Sequence, residues 1–325
     1  MADPSEDRNS RRTTRAIVAV ATLVACLAAV HCGGGNSATG PTPPPGTTPP
    51  GDPGPPPPTP PPSGPQIFVG AGDIAMCDAL EPARETGRLL KGIGGFVFAL
   101  GDNAYFGGTA REYRECYDDA WGSEKFRTRP VLGNHEYEGG NAGGPYFDYF
   151  LGQAGPAGLG YYSFELNSNW HAIALNSNIS MAEGSPQGAW LKADLAASRT
   201  RCTVAYWHHP LFTSSQNGPQ VFTRDFWRIL YAAGADVVLV GHDHVYERFA
   251  PQDADGRIDP ARGMREFLVG TGGAFLYNFV TVAPNSEVRL RTFGVLKLTL
   301  ESNSYQWQFI QTSGATGDSG TGQCH

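Results

Sequence analysis

The sequence contains little charge and no basic clusters. Only 17% of its 325 residues are charged, the formal net charge is −7, and no Lys/Arg cluster occurs after residue 65. Nucleic-acid-binding surfaces need a basic stripe that neutralises phosphates, so no nucleic-acid partner is expected. An acidic chain also repels phosphate esters unless a local charge, such as a bound metal ion, reverses the field.

Long hydrophobic runs are missing as well. The mostly apolar run Ala16–Val30 is shorter than the ~20 residues of a membrane-spanning helix, and four arginines precede it. This pattern predicts an export signal over residues 1–32. A lipid anchor is predicted on either Cys26, in the sequence Leu-Val-Ala-Cys, or Cys32. An ordinary secretory signal with incidental cysteines is the alternative. Either case predicts an extracytoplasmic protein, secreted or lipid-anchored at the cell surface or in the periplasm.

Cysteine is scarce, and the six present form no Cys-x-x-Cys pattern that would support a zinc ribbon. The four outside the signal allow three pairings, and an even count in an exported chain predicts two disulfides. We favour Cys77–Cys116, which would link two loops after neighbouring strands. The other favoured pair, Cys202–Cys324, would pin the C-terminal tail to the sheet. Structural thiols or a metal site are the alternatives.

Proline is abundant in one place only. Residues 40–65 hold 15 of the 26 prolines. A polyproline segment is stiff and rises ~3.1 Å per residue, so residues 33–65 are predicted to be a linker or stalk. The remaining residues 66–325 have ordinary globular composition, and their length suits one large domain.

Strand and helix signals alternate up to Val240, and strands dominate thereafter. This order predicts α/β layers with a pair of sheets rather than a single parallel sheet. The predicted helices cover residues 81–91, 185–197 and 222–233. The predicted strands cover residues 67–70, 96–100, 130–133, 161–166, 170–175, 204–207, 236–240, 267–269, 295–300 and 305–310.

Five predicted strand ends carry side chains that bind metals. These residues are Asp73, Asp102, the pair Asn134-His135, the pair His208-His209, and His242 with His244. Ligands bind beyond the carboxyl ends of strands in α/β sheets, so these side chains are predicted to converge. Glycine precedes four of the sites and is expected to let the backbone turn sharply and approach an ion. His171 and His325 lie outside the pattern and are predicted to be satisfied surface residues.

The chain resembles the calcineurin-like metallophosphoesterase superfamily in five blocks that occur in the family's order. The blocks are Gly72-Asp73, Gly101-Asp102-Asn103-Ala104-Tyr105, Gly133-Asn134-His135-Glu136, His208-His209-Pro210 and Gly241-His242-Asp243-His244. Tyr105 and Tyr246-Glu247-Arg248 narrow the resemblance to purple acid phosphatases, of the short, single-domain, secreted bacterial type. The resemblance implies a four-layer α/β/β/α sandwich, in which two packed mixed sheets are flanked by helices.

The resemblance also implies two metal ions bridged by one carboxylate. The first ion would be held by Asp73, Asp102, Tyr105 and His244. The second would be held by Asp102, Asn134, His208 and His242. A phenolate with carboxylates suits Fe(III), while imidazole and amide oxygen suit Zn(II), Fe(II) or Mn(II). His135 is expected to position the phosphate and protonate the leaving oxygen, and His209 either contacts the leaving group or has a structural role.

The activity implied is hydrolysis of small-molecule phosphomonoesters, with a metal-bound hydroxide attacking phosphorus. One alternative is a phosphodiesterase or nucleotidase with two divalent ions, in which Tyr105 merely lies near the site. Another is an inactive, surface-displayed binding protein. The loop Ile74–Cys77 departs from the purple acid phosphatase pattern, and Tyr246 and Arg248 are expected to be scaffold.

Overall fold

The structure, a computed structural model, describes residues 64–138, 140 and 142–325. The predicted export signal and nearly all of the predicted linker lie outside these residues. The strands are β1 Gln66–Ala71, β2 Ala75–Met76, β3 Phe96–Leu100, β4 Ala104–Tyr105, β5 Thr128–Val131, β6 Tyr162–Asn167, β7 Trp170–Ala174, β8 Cys202–Tyr206, β9 Val237–Val240, β10 Tyr246–Phe249, β11 Arg265–Val269, β12 Ser286–Leu290, β13 Gly294–Leu300, β14 Ser304–Gln311 and β15 Thr316–Gln323. The α-helices are α1 Glu81–Lys91, α2 Ala110–Glu112, α3 Asp118–Trp121, α4 His135–Glu138, α5 Gly144–Phe150, α6 Pro186–Ala197 and α7 Arg224–Ala233.

Shorter helical turns fill several connections. A π-helical turn at Tyr113–Tyr117 joins α2 to α3, and 3-10 turns occur at Cys77–Ala79, Gly122–Arg127, Leu151–Ala154 and Val221–Thr223. These turns lie in loops between the strands and the longer helices. None of them was predicted from sequence, because turns of three to six residues carry little periodic signal.

One sheet has six strands in the order β15-β14-β13-β1-β3-β5. Strands β1, β3 and β5 are parallel, while β13, β14 and β15 pair antiparallel to their neighbours. Since parallel strands end at one edge of a sheet, the segments after β1, β3 and β5 emerge side by side.

The other large sheet has seven strands in the order β12-β10-β11-β9-β8-β7-β6. Strands β7, β8, β9 and β11 are parallel, and the pairs β6–β7, β10–β11 and β10–β12 are antiparallel. The segments after β8 and β9 therefore also emerge at a common edge. Strands β2 and β4 form a small two-stranded sheet.

The two large sheets pack face to face through apolar side chains. The Phe68 ring of β1 lies 5.5 Å from the Tyr206 ring of β8, measured between centroids. Alternate residues of β9, such as Val238 and Val240, face away from this core and pack with Phe226 and Trp227 of α7. Helix α1 contacts β13 on the six-stranded sheet. The four-layer arrangement of mixed sheets flanked by helices is therefore confirmed.

Two disulfides join the cysteines in the favoured pairing. Cys77 and Cys116 have a Cα–Cα distance of 5.3 Å, and Cys202 and Cys324 one of 5.5 Å. The second bond ties the C-terminal tail to β8, as expected. Among the residues that the structure describes, no helix has the length and apolar character needed to cross a membrane.

The elements predicted from sequence are found with their boundaries shifted by at most two residues. Helix α6 begins as predicted, because the Ser185 hydroxyl accepts a hydrogen bond from the Gly188 N–H and Pro186 occupies the first turn. Strands β2, β4, β10, β12 and β15 and the short helices α2 to α5 were not predicted. Strand β15 has the sequence Thr-Gly-Asp-Ser-Gly-Thr-Gly-Gln, which lacks the apolar alternation that indicates a strand.

Candidate metal centre

The five predicted strand ends meet in one place. Ligand atoms of Asp73, Asp102 and His208 all lie within 4.8 Å of one another, although these residues follow β1, β3 and β8 of two different sheets. All three side chains are buried, as are Tyr105 and His244. Burying carboxylates and imidazoles together is costly unless charge and hydrogen bonds compensate them, so this cluster differs from ordinary protein core.

The cluster contains two compact groups of donor atoms. In the first group, the Tyr105 hydroxyl donates to Asp73 Oδ1 at 3.0 Å and lies 3.1 Å from His244 Nε2. His244 Nε2 lies 3.3 Å from Asp73 Oδ1. Three potential ligand atoms therefore surround one point.

The second group consists of Asn134, His208 and His242. The Asn134 Oδ1 atom lies 3.1 Å from His208 Nε2 and 3.0 Å from His242 Nδ1. The two imidazole nitrogens are 3.3 Å apart. When the two ring nitrogens carry no proton, each of the three atoms has a lone pair. A cation between the three atoms would be attracted by all three lone pairs.

Asp102 joins the two groups through a single oxygen atom. Its Oδ2 lies 3.2 Å from the Tyr105 hydroxyl of the first group and 3.2 Å from His208 Nε2 of the second. Its other oxygen, Oδ1, accepts the backbone N–H of His135 at 2.9 Å. One carboxylate oxygen thus lies within 3.2 Å of a donor atom in each group.

The seven residues fit a pair of metal ions by chemistry as well as by position. The first group offers carboxylate and phenol oxygens with one imidazole, and the second offers amide oxygen with two imidazoles. In two of the histidines, the ring nitrogen that faces away from the cluster is held by a backbone carbonyl. His208 Nδ1 bonds the Leu100 carbonyl at 2.7 Å and His244 Nδ1 bonds the Phe275 carbonyl at 2.7 Å. Those bonds fix the tautomer that leaves Nε2 facing the cluster.

The backbone bends sharply at the ligand positions themselves. Asp73, Asp102 and His242 have φ angles of 59°, 48° and 72°, in the left-handed region that non-glycine residues seldom adopt. The preceding glycines act differently from the prediction. Gly101 alone of the four has a positive φ, at 86°, whereas a Cβ on Gly133 would lie 2.1 Å from Asp102 Oδ1. Glycine at 133 therefore serves close approach rather than turning.

Glu136 is a site residue to which sequence reasoning gave no role. Its carboxylate is fully buried and accepts the backbone N–H groups of Asp102, Asn103 and Gly133 at 3.0, 2.8 and 2.7 Å. The Tyr113 hydroxyl donates a fourth bond at 3.0 Å. Glu136 thereby ties the segment after β3 to the segment after β5. Its place in the Gly-Asn-His-Glu block was the available signal, but nothing in the sequence indicated its burial.

Electrostatic interactions within the cluster are strong. Burial raises the pKa of Asp102, but the neighbouring His208 outweighs it and holds the pKa well below its ordinary value. Burial lowers the pKa of His208, and the Asp102 charge outweighs that effect and raises it to about 9. Burial, aided by Asp102 and Asp73, raises the pKa of Tyr105 far above its usual value. A phenolate at this position therefore requires the charge of a cation.

The two predicted catalytic histidines both border the cluster. His135 Nδ1 lies 2.8 Å from the Phe106 carbonyl oxygen and 2.8 Å from Glu138 Oε2, which leaves Nε2 facing Asp102 Oδ2 at 3.8 Å. His209 is nearly buried, with Nδ1 2.7 Å from the Ser177 hydroxyl. Burial lowers the pKa of His209 well below its ordinary value, helped by His208, so its ring is neutral.

The remaining residues that the sequence singled out lie apart from the cluster. Tyr246 and Arg248 both hydrogen-bond Asp318 of β15 at 2.7 Å, in agreement with a scaffold role. The prediction for His171 is half right. It is satisfied, by Glu165 at 3.0 Å and Asp194 at 2.7 Å, but it is buried rather than on the surface. His325 Nδ1 lies 3.3 Å from Asp236.

Comparison with known proteins gives the family. Residues 61–246, more than half of the chain, match the calcineurin-like phosphoesterase family. Purple acid phosphatase 18 of Arabidopsis thaliana is 36% identical over 119 residues, which cover 35% of this chain and 26% of that protein. Tartrate-resistant acid phosphatase type 5 of Rattus norvegicus is 23% identical over 207 residues, covering 54% of this chain and 63% of that protein.

A solved structure, purple acid phosphatase from seeds of yellow lupin (Lupinus luteus), superposes with a TM-score of 0.71 at 21% identity. The superposition covers 82% of this chain and 55% of that one, and it supports the fold. The chain belongs to the calcineurin-like phosphoesterase family, and the matched segments span less than two thirds of these curated relatives.

Proposed function

We propose that this protein hydrolyses phosphomonoesters with a pair of metal ions, in the manner of a purple acid phosphatase. The observation that carries the proposal is the single oxygen of Asp102, which lies 3.2 Å from a donor atom of each ligand group. One carboxylate oxygen between two sets of donors is the arrangement expected for two ions that act on one phosphate.

In this proposal, Asp73, Asp102, Tyr105 and His244 hold one ion, and Asp102, Asn134, His208 and His242 hold the other. When bound, the ions supply Lewis acidity, attract the phosphate dianion and lower the pKa of a water molecule. The phenol and the two carboxylates of the first group favour Fe(III), and the second group suits Zn(II), Fe(II) or Mn(II). The full assignment of these ligands rests on the donor distances above.

His135 is proposed to donate the proton that the leaving oxygen needs. The Phe106 carbonyl oxygen can only accept, so Nδ1 carries a proton and Nε2 is the nitrogen available to the substrate. The Glu138 carboxylate beside Nδ1 helps to hold the ring with Nε2 toward the cluster, where it would donate to the leaving oxygen. Hydrolysis forms a bond from water oxygen to phosphorus and breaks the bond from phosphorus to the leaving oxygen. The products are inorganic phosphate and an alcohol.

His209 has a supporting role in this proposal. Its buried ring is neutral and is held by Ser177, while its centroid lies 4.5 Å from that of His242 and 4.9 Å from that of His208. A neutral ring against two ligand rings orients them and can hydrogen-bond the leaving group, but it cannot supply a proton as readily as a charged imidazole.

The test compares hydrolysis of an aryl phosphate monoester and the matching diester by the purified protein. A monoester rate well above the diester rate supports the phosphatase, whereas a higher diester rate favours the phosphodiesterase alternative. A visible tyrosinate-to-iron band that disappears in Tyr105→Phe tests the Fe(III) assignment. A colourless, fully active protein with only divalent metal contradicts that assignment. Full metal content without turnover of any ester supports a binding protein.

An extracytoplasmic location is part of the proposal. Two disulfides are most stable outside the reducing cytosol, and the sequence pattern of residues 1–32 predicts export. Mass spectrometry of the mature N-terminus distinguishes a lipid on Cys26 or Cys32 from an unmodified, cleaved chain.

A further inference from the structure

Three phenylalanine rings border the metal cluster and are exposed. Phe106, Phe222 and Phe275 retain 49%, 49% and 48% of their accessible surface. Each lies against a different histidine, with these centroid distances: Phe106 to His135 6.1 Å, Phe222 to His209 5.3 Å, and Phe275 to His244 5.2 Å. We call these three residues the aromatic rim. They come from three separate segments, so no single exposed loop accounts for their position.

The described residues give the cluster no basic hydrogen-bonding partner. Among the described residues, no Lys or Arg hydrogen-bonds or ion-pairs with any of the seven proposed ligands, His135 or His209. The lining of a cavity of about 330 Å³ beside Tyr105 and Phe106 includes three carboxylates and one arginine, Arg111, which is paired with Glu115 at 2.7 Å. The carboxylates outnumber the arginine, so the additional phosphates of a polyanionic substrate would meet net negative charge in this cavity.

We propose that the aromatic rim is the subsite for the leaving group, and that it selects phosphomonoesters of uncharged aromatic alcohols over polyanionic ones. The proposal rests on the phosphatase function proposed above. With the phosphate held at the ligand cluster, the leaving group points outward past His135 toward the rim. Packing between an aromatic leaving group and a phenylalanine ring contributes about 0.5–1.5 kcal/mol beyond burial, which is about a two- to twelvefold change in affinity.

The rim is tested by binding rather than by turnover alone. Isothermal calorimetry on the metal-loaded protein compares phenylphosphonate with methylphosphonate, neither of which is hydrolysed. We expect phenylphosphonate to bind about tenfold more tightly, and Phe106→Ala, Phe222→Ala and Phe275→Ala each to weaken it about twofold, so that the three rings together account for the preference. Methylphosphonate affinity should stay within about twofold in all three, because it does not reach the rim.

Phe126→Ala is the matched control. Phe126 is 75% exposed and precedes β5, whereas the cluster lies after the other end of that strand. This variant should leave both affinities unchanged. Replacement of the rim residues by leucine keeps apolar volume and removes the ring, so it separates aromatic packing from simple burial and protects against misfolding of an alanine variant.

The rim is not a leaving-group subsite if the two phosphonates bind with equal affinity, or if the rim variants lose the same affinity for both. Either result leaves the proposed phosphatase function intact. If neither phosphonate binds and no monoester is hydrolysed by fully metal-loaded protein, the proposed function fails and the rim proposal falls with it. Faster hydrolysis of a nucleoside triphosphate or a sugar bisphosphate than of phenyl phosphate also contradicts the selectivity.

Discussion

Replacing Glu136 by glutamine should destabilise the protein and lower its metal content. The carboxylate has two acceptor oxygens, and each receives two hydrogen bonds: Oε1 from the Asn103 N–H and the Tyr113 hydroxyl, Oε2 from the Asp102 and Gly133 N–H groups. An amide has only one acceptor oxygen. Its NH₂ group would face two donors, whichever way the side chain turns.

The magnitude follows from those lost contacts. Hydrogen bonds to a charged acceptor contribute about 1.5–3 kcal/mol each, so two lost bonds lower the free energy of unfolding by about 3–6 kcal/mol. The lower end of this range applies if the amide NH₂ group faces Tyr113, because the Tyr113 hydroxyl can rotate and accept a hydrogen bond from it. Because Glu136 joins the segments that carry Asp102 and Asn134, we also expect the metal content to fall by more than half.

Urea unfolding followed by tryptophan fluorescence in the presence of a chelator measures the stability, and elemental analysis measures the metal. Glu85→Gln is the control, because Glu85 is exposed and lies 3.8 Å from Arg88 in a surface pair worth at most about 1 kcal/mol. An E136Q protein with the stability and metal content of the E85Q protein would refute the view that Glu136 holds the two segments together.

Three further predictions concern other parts of the molecule. His135→Ala should retain both metal ions, as measured by elemental analysis, but hydrolyse esters more slowly, with the largest decrease for esters with poor leaving groups. Loss of metal from this variant would instead indicate that His135 is a metal ligand. Burial lowers the pKa of His171, but Asp194 and Glu165 outweigh burial and raise the pKa above its ordinary value. The pairing of the protonated ring with these carboxylates therefore stabilises the fold fully below about pH 6.5, and this stabilisation is lost as the pH rises through the pKa of the folded state. The stability advantage of wild type over His171→Gln should therefore shrink from pH 6 upward, and a constant difference would contradict this. The disulfides close loops with sequence separations of 122 and 39 residues. Replacing Cys202 and Cys324 by serine should therefore lower the free energy of unfolding in urea by about 5 kcal/mol, and replacing Cys77 and Cys116 by about 4 kcal/mol. A larger loss for the shorter loop would contradict the dependence on loop length.

The convergence of the proposed ligands was predictable from sequence because they are polar residues that follow apolar strands, whereas their division between two ions came from the family resemblance. Asp73, Asp102 and His242 each follow glycine at the end of a buried parallel strand, and the strand itself fixes the edge of the sheet at which they emerge. The four-layer architecture came from the family resemblance, and the strand–helix alternation alone predicted only α/β layers with paired sheets.

Features that depend on tertiary packing were not predictable. Strand β15 is polar and glycine-rich, and it forms because Gly320 and Gly322 lie beneath the rings of Trp307 and Tyr305, where a Cβ would approach within 2.3 and 2.2 Å. Cys324 anchors its end to β8. The disulfide at Cys324 was predicted, but the packing of these glycines has no signal within β15 itself, because the rings belong to the neighbouring strand β14.

The burial of Glu136 is a second example. A glutamate after Asn-His is typical of an exposed first turn of a helix, where it interacts with the helix dipole. Here the backbone N–H groups of Asp102, Asn103 and Gly133 all point at its carboxylate, which is a property of two neighbouring strands rather than of the helix. The roles of His135 and His209 likewise depend on their partners Glu138 and Ser177.

The most direct test of the account is the metal stoichiometry of the Asp102→Ala variant beside that of wild type. Elemental analysis should give two ions per wild-type chain and essentially none for Asp102→Ala, because one Asp102 oxygen contacts both donor groups. Asp119→Ala, which removes only an exposed partner of Arg84, should retain both ions. Two ions in the Asp102→Ala protein, or fewer than two in wild type after incubation with iron and zinc, would contradict a dinuclear centre bridged at Asp102.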